Sequence, residues 1–194
     1  MDWEIVSMRR AGGRSSVVGR LWPIVVLIQT GLAVPPDKDD PDDGSFGFTK
    51  PVACIEIKGY NDYVELAGAT LTSDEKLLVY FRPRHFRTTR IGREFEAHLV
   101  EDVRVRKRGD KTVIWSKLNI VNYQPRTPIA RPPIYIHNKL SLKGLIPGQY
   151  ELEIVLHDRV ALTPPVERKL FFEVIPAEEE PEPKKPDVEK APDK

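Results

Sequence analysis

Residues 94–123 read EFEAHLVEDVRVRKRGDKTVIWSKLNIVNY. Phe95, Ala97, Leu99, Val103 and Val105 share one parity, and Glu94, Glu96, His98, Asp102, Arg104 and Arg106 share the other. A period of two puts successive side chains on opposite faces of an extended chain, so one face of this stretch is buried and one is wet. Residues 107–110 (KRGD) interrupt the pattern, and 111–123 extends again. Gly and Asp tolerate the positive φ that a tight turn requires, so 94–123 is expected to form a hairpin.

The same period governs the surrounding chain. Residues 52–58 (VACIEIK) alternate, and 63–71 (YVELAGATL) do so with Gly68 inside. Residues 76–82 (KLLVYFR) are apolar on both faces, as a central strand would be. Ile134, Ile136, Leu140 and Leu142 mark a further strand, Tyr150, Leu152, Ile154 and Leu156 the next, and Leu170, Phe172 and Val174 the last. No stretch carries a helical apolar stripe, and no repeat of fixed period is present. The expectation is an all-β, antiparallel two-sheet sandwich of about seven to eight strands. It should occupy residues 51–176.

Leu145-Ile146-Pro147-Gly148-Gln149-Tyr150, followed by alternating Leu152, Ile154 and Leu156, resembles the corner of fibronectin type III and other immunoglobulin-like domains. The resemblance covers roughly the last 40 residues of the body. It implies that Leu145, Pro147 and Gly148 turn the chain between sheets, with Leu145 plugging the core. It implies that the Tyr150 hydroxyl bonds back to upstream backbone. Phe172 and Val174 fit the closing strand of such a fold. Cys54 is the only cysteine, so a domain of the antibody type, with its paired core cysteines, is excluded. Fold resemblance of this kind does not specify function.

Outside the body the composition changes. Arg9, Arg10, Arg14 and Arg20 precede the apolar stretch 21–34 (LWPIVVLIQTGLAV), and Gly31 and Ala33 are small residues suited to cleavage after Ala33. Residues 1–33 are therefore expected to be a signal peptide, and the mature chain to be exported to the periplasm, cell surface or medium. A buried helix or an uncleaved anchor are the alternatives. The apolar stretch is shorter than the roughly 20 residues of a membrane span, so no span is expected in the mature chain. Residues 34–50 (VPPDKDDPDDGSFGFTK) form an acidic, Pro-rich linker, and 177–194 (AEEEPEPKKPDVEKAPDK) a tail too polar to fold. The Asp run is not an EF-hand loop: with Gly44 at the turn, Pro41 and Lys50 occupy ligand positions.

Both flanks of the body are acidic, which leaves the body itself net basic. The densest basic stretch is 82–93 (RPRHFRTTRIGR), with Arg82, Arg84, Arg87, Arg90 and Arg93 interleaved with His85 and Phe86. Arg forks match phosphate, sulfate and carboxylate, so the segment is a candidate polyanion site. The alternative is a solvated loop whose arginines pair with Glu94, Glu96, Glu101 and Asp102. Export favours an envelope polymer or acidic polysaccharide over genomic nucleic acid. Arg108-Gly109-Asp110 is read as a turn, not an adhesion tripeptide.

His85, His98, His137 and His157 lack metal-ligand spacing, and none of Ser73, Ser116 and Ser141 lies in a nucleophile motif. Cys54 is read as a small buried hydrophobe and Trp115 as a residue between sheets. No catalytic, metal or cofactor site is expected. The expected function is a non-catalytic exported structural or protein-interaction module. An anionic-polymer binder is the alternative, and an enzyme stands third.

Overall fold

The computed structural model describes residues 3–4 and 44–177. The rest of the expected signal peptide, residues 34–43 of the acidic linker and the tail from 178 lie outside the described residues.

The described residues form sheets of five, five, three and two strands. The first sheet runs β1 (Trp3–Glu4), β13 (Ile136–Ser141), β6 (Lys76–Phe81), β3 (Val52–Gly59) and β4 (Asp62–Glu65). The second runs β11 (Val113–Tyr123), β10 (Leu99–Lys107), β14 (Gly148–Asp158), β15 (Val166–Ile175) and β5 (Thr70–Thr72). The smaller sheets join β12 (Arg126–Thr127), β9 (Glu94–Glu96) and β8 (Thr89–Ile91), and β2 (Gly47–Phe48) with β7 (Pro83–Arg84). Pairing is antiparallel throughout except between β15 and β5. The described residues are all-β, as the period-two pattern indicated, but their strands are more numerous than the seven to eight expected, several of them only two or three residues long, and they lie in four sheets where two were expected.

The two large sheets share one core. Leu77, Val79 and Phe81 of β6 and Ile136 and Leu140 of β13 lie in the same buried cluster as Val103, Val105, Leu152, Ile154 and Phe172 of the second sheet. Each such side chain contributes about 1.5–3 kcal/mol relative to exposure. The polar faces of β10, β14 and β15 turn outward and pair across strands. Arg104 and Arg106 both bond Glu153, and Lys169 Nζ lies 3.2 Å from Glu151.

Three departures from the sequence pattern have local causes. The run 63–71 is not one strand. At residues 67–69 the chain makes a single 3-10 turn with Gly68 at φ 72°. It thereby leaves the first sheet at β4 and enters the second at β5. The run 94–106 also divides, because the buried Ala97 donates its N–H to the Pro125 carbonyl and β9 pairs with β8 and β12 instead. The fold also begins before residue 51: Phe48 is 1% exposed, its ring centroid 4.9 Å from that of Phe81. Among the described residues, no helix is long and apolar enough to cross a membrane.

Candidate functional site

Two surfaces carry features beyond the packing of the core. The first is the arginine-rich segment, which the fold splits in two. Residues 82–86 pack into the body: Pro83 and Phe86 are buried, and the Arg82 guanidinium sits 5.7 Å from the centroid of the Tyr60 ring. The backbone of Arg84 pairs with Gly47. Arg87, Arg90 and Arg93 are exposed on β8 and its flanks. Gly92, at φ 63°, makes the turn between β8 and β9, and its carbonyl accepts Arg90 Nε at 3.1 Å.

Of the four acids expected to neutralise these arginines, Glu94 is exposed on β9, and Glu96, Glu101 and Asp102 are engaged elsewhere. Glu96 accepts Arg126 Nε at 2.7 Å and Gln124 Nε2 at 3.1 Å, and these bonds hold its carboxyl below the usual range. Asp102 lies 3.0 Å from His157 Nε2 and accepts the Asn119 N–H. Glu101 is in the core. Among the described residues, no carboxylate forms an ion pair with Arg87, Arg90 or Arg93.

Three connections meet at this end of the molecule. The Asp158 carboxylate is buried and accepts three backbone N–H groups: Arg87 at 2.7 Å, Val160 at 2.9 Å and Ala161 at 3.0 Å. Thr88 Oγ1 donates to the Ala130 carbonyl at 2.8 Å, and the Arg159 N–H donates to the His98 carbonyl at 2.9 Å. Beneath them Phe86 packs with Ala97, Leu99 and Ile134 in a small separate core. The segment is thus anchored from below and from both sides. Alternation gave no sign of Asp158, because an aspartate at a strand end reads as an ordinary turn residue.

The second surface is β11, the outer strand of the second sheet. Residues 113–118 are exposed apart from the half-buried Trp115, which packs against the main core. Val113 is 40% exposed, Ile114 46% and Leu118 64%. Its register with β10 shifts twice, at Ile114 and again between Lys117 and Val121, where Asn119 has φ 52°, before Ile120 and Val121 turn into the core.

The corner residues lie away from both surfaces. Tyr150 is 1% exposed, and its hydroxyl donates to the Ile146 carbonyl at 2.6 Å. Leu145 is buried below it, Pro147 is exposed in the turn, and Gly148 has φ 152°.

Buried ionisable groups went unnoticed in the alternating pattern. Glu101 has no exposure, accepts Asn138 Nδ2, and is pushed up to about 8 by burial. It shares the inward parity of Leu99 and Val103, which was the available signal. Burial also pushes the Cys54 thiol up to about 12, so it is no ready nucleophile at neutral pH.

The histidines do not converge. His98 Nε2 meets Asn122 Oδ1, His157 meets Asp102, and the His137 ring lies 5.6 Å from that of Tyr135 in the other sheet. Among the described residues, no group of three or more His, Cys, Asp or Glu is placed to hold a metal ion. Neither a search of protein-family models nor a search of curated proteins finds a match to this chain.

Proposed function

We propose that this chain is a non-catalytic, exported protein-interaction module built on an immunoglobulin-like sandwich. The strand orders β13-β6-β3 and β11-β10-β14-β15 correspond to E-B-A and C′-C-F-G of that fold, and the Tyr150 corner opens the F-like strand. Export rests on the basic, apolar and small-residue sequence of residues 1–33.

The observation that carries the interaction role is the edge of β11. An exposed edge presents unpaired backbone donors and acceptors, and soluble proteins usually guard it with charge, proline or a bulge. Here the pairing with β10 is irregular at Ile114 and again between Lys117 and Val121, yet the edge carries little charge: residues 113–118 expose Val113, Ile114 and Leu118 around a single Lys117. A partner strand laid along 113–117 would gain main-chain hydrogen bonds and apolar burial together. The test is capture from the envelope fraction by the wild-type chain and by Ile114→Lys with Leu118→Lys. A protein retained at high salt by the wild type and lost from the variant supports the role. Equal retention by both overturns it.

A second function, binding of an anionic envelope polymer or acidic polysaccharide through the Arg82–Arg93 segment, is favoured by the exposure of Arg87, Arg90 and Arg93, none of which has a carboxylate partner among the described residues. Arg84, Arg87 and Arg90 changed to Ser should weaken retention on an anionic column. Unchanged retention removes this role.

A further inference from the structure

We infer that Arg87, Arg131 and Arg159, with Ile129 and Leu162 beside them, form a site for an acidic segment of a partner protein. The three arginines are far apart in sequence and sit on three different connections. The bonds from Arg87 N–H to Asp158 and from Thr88 to Ala130 place residue 87 next to both Arg159 and Arg131. All three side chains are exposed, and none has a carboxylate partner among the described residues.

Among the described residues, the acids of this end form no ion pair with these three arginines. Asp158 is saturated by backbone N–H groups, Glu96 by Arg126 and Gln124, and Glu94 lies near Arg126. The buried Asp158 offsets one of the three guanidinium charges, and the cluster that faces solvent stays net basic, which suits carboxylates in bidentate geometry.

The apolar neighbours select a polypeptide over a polysaccharide. Leu162 is 85% exposed at φ 53°, and Ile129 is 50% exposed. A leucine in left-handed backbone, fully offered to water, occupies a position that Gly or Asn would fill more easily. Charge flanked by exposed aliphatic groups complements an acidic segment that also carries apolar side chains. The site shares with the proposed function only the premise of a protein partner. Ile114→Lys with Leu118→Lys should leave it intact, so failure of one does not imply failure of the other.

The test uses the whole chain and three probes: poly-L-glutamate, a glutamate–tyrosine copolymer, and dextran sulfate. The expected order is copolymer tighter than poly-L-glutamate, with dextran sulfate weakest at equal charge. Arg87→Ser, Arg131→Ser and Arg159→Ser together should weaken copolymer binding at least about ten-fold. Arg131→Ser alone, on an exposed side chain, should still weaken it two- to three-fold if the triple variant does not fold. Leu162→Ser should weaken the copolymer and not poly-L-glutamate. Two results overturn the site. One is dextran sulfate binding tightest with no effect of Leu162→Ser. The other is an equal loss when Lys107, Lys111 and Lys117 at the opposite hairpin become Ser.

Discussion

Glu101 on β10 accepts a hydrogen bond from Asn138 on β13, Nδ2 to Oε1, at 2.5 Å, and so ties the two large sheets together through the core. Burial favours the protonated form of this carboxyl and outweighs the Asn138 bond, which favours the ionised form. A carboxyl raised from 4.5 to about 8 stays neutral in the fold at pH 7 while its unfolded counterpart ionises. The folded state then binds more protons than the unfolded one, so stability must fall with rising pH. The fall spans the interval from about 4.5 to about 8 and levels off above it. Each pH unit inside the window costs about 1.4 kcal/mol. Urea unfolding between pH 5 and pH 9 should show this slope. Glu101→Gln, which can still accept from Asn138, should flatten it and be more stable than the wild type at pH 8.

The outer face of the second sheet behaves in the opposite sense. Burial of Glu153 raises its carboxyl, but hydrogen bonds from Arg104 and Arg106 outweigh this and hold it below its ordinary value. Its contribution is therefore complete above the unfolded value and is lost as the pH falls below it. Glu153→Gln should cost about 1.5–3 kcal/mol at pH 7, the range for hydrogen bonds to charged groups. The deficit should shrink below pH 4, which urea titrations at both pH values will show.

Tyr150→Phe removes the hydroxyl bonded to the Ile146 carbonyl and leaves the ring packed 5.5 Å from Phe172. Ile146 is exposed, so its carbonyl can turn to water, and the loss should be about 1 kcal/mol. A shift in urea midpoint with unchanged slope is the expected signature.

Asp158→Ala strips the acceptor from three backbone N–H groups and frees the turn that carries Arg87. Trypsin should then cut after Arg87 at a protein concentration and time that leave the wild type whole. An unchanged digest would show that Phe86 and the Thr88–Ala130 bond anchor the segment without Asp158.

Much of the architecture was legible because alternation is a direct imprint of a half-buried sheet. The hairpin of β10 and β11 and the strands β6, β14 and β15 follow from it. The sheet crossing at Gly68 was not legible, since a strand that changes partner keeps its alternation on both sides of the break. Glu101 was hidden by the assumption that a glutamate faces water. Its parity said otherwise, and only the facing Asn138 explains how it is tolerated. The 82–93 arginines were visible as a cluster. Their division into packed Arg82 and exposed Arg87, Arg90 and Arg93 depends on Phe86 and Asp158, which act through tertiary contacts. Arg131 and Arg159 carried no signal, because their proximity to Arg87 is set by three connections meeting in space.

Amide hydrogen exchange across residues 113–123, in the free chain and in complex with its captured partner, tests the edge-strand role most directly. In the free chain the outward amides of 113–118 should exchange quickly, since among the described residues β11 pairs on one side only. In the complex they should become protected as a strand adds to the edge. Protection confined to the 87–93, 129–131 and 159–162 connections, with 113–118 unchanged, would contradict that role and move the interface to the arginine end.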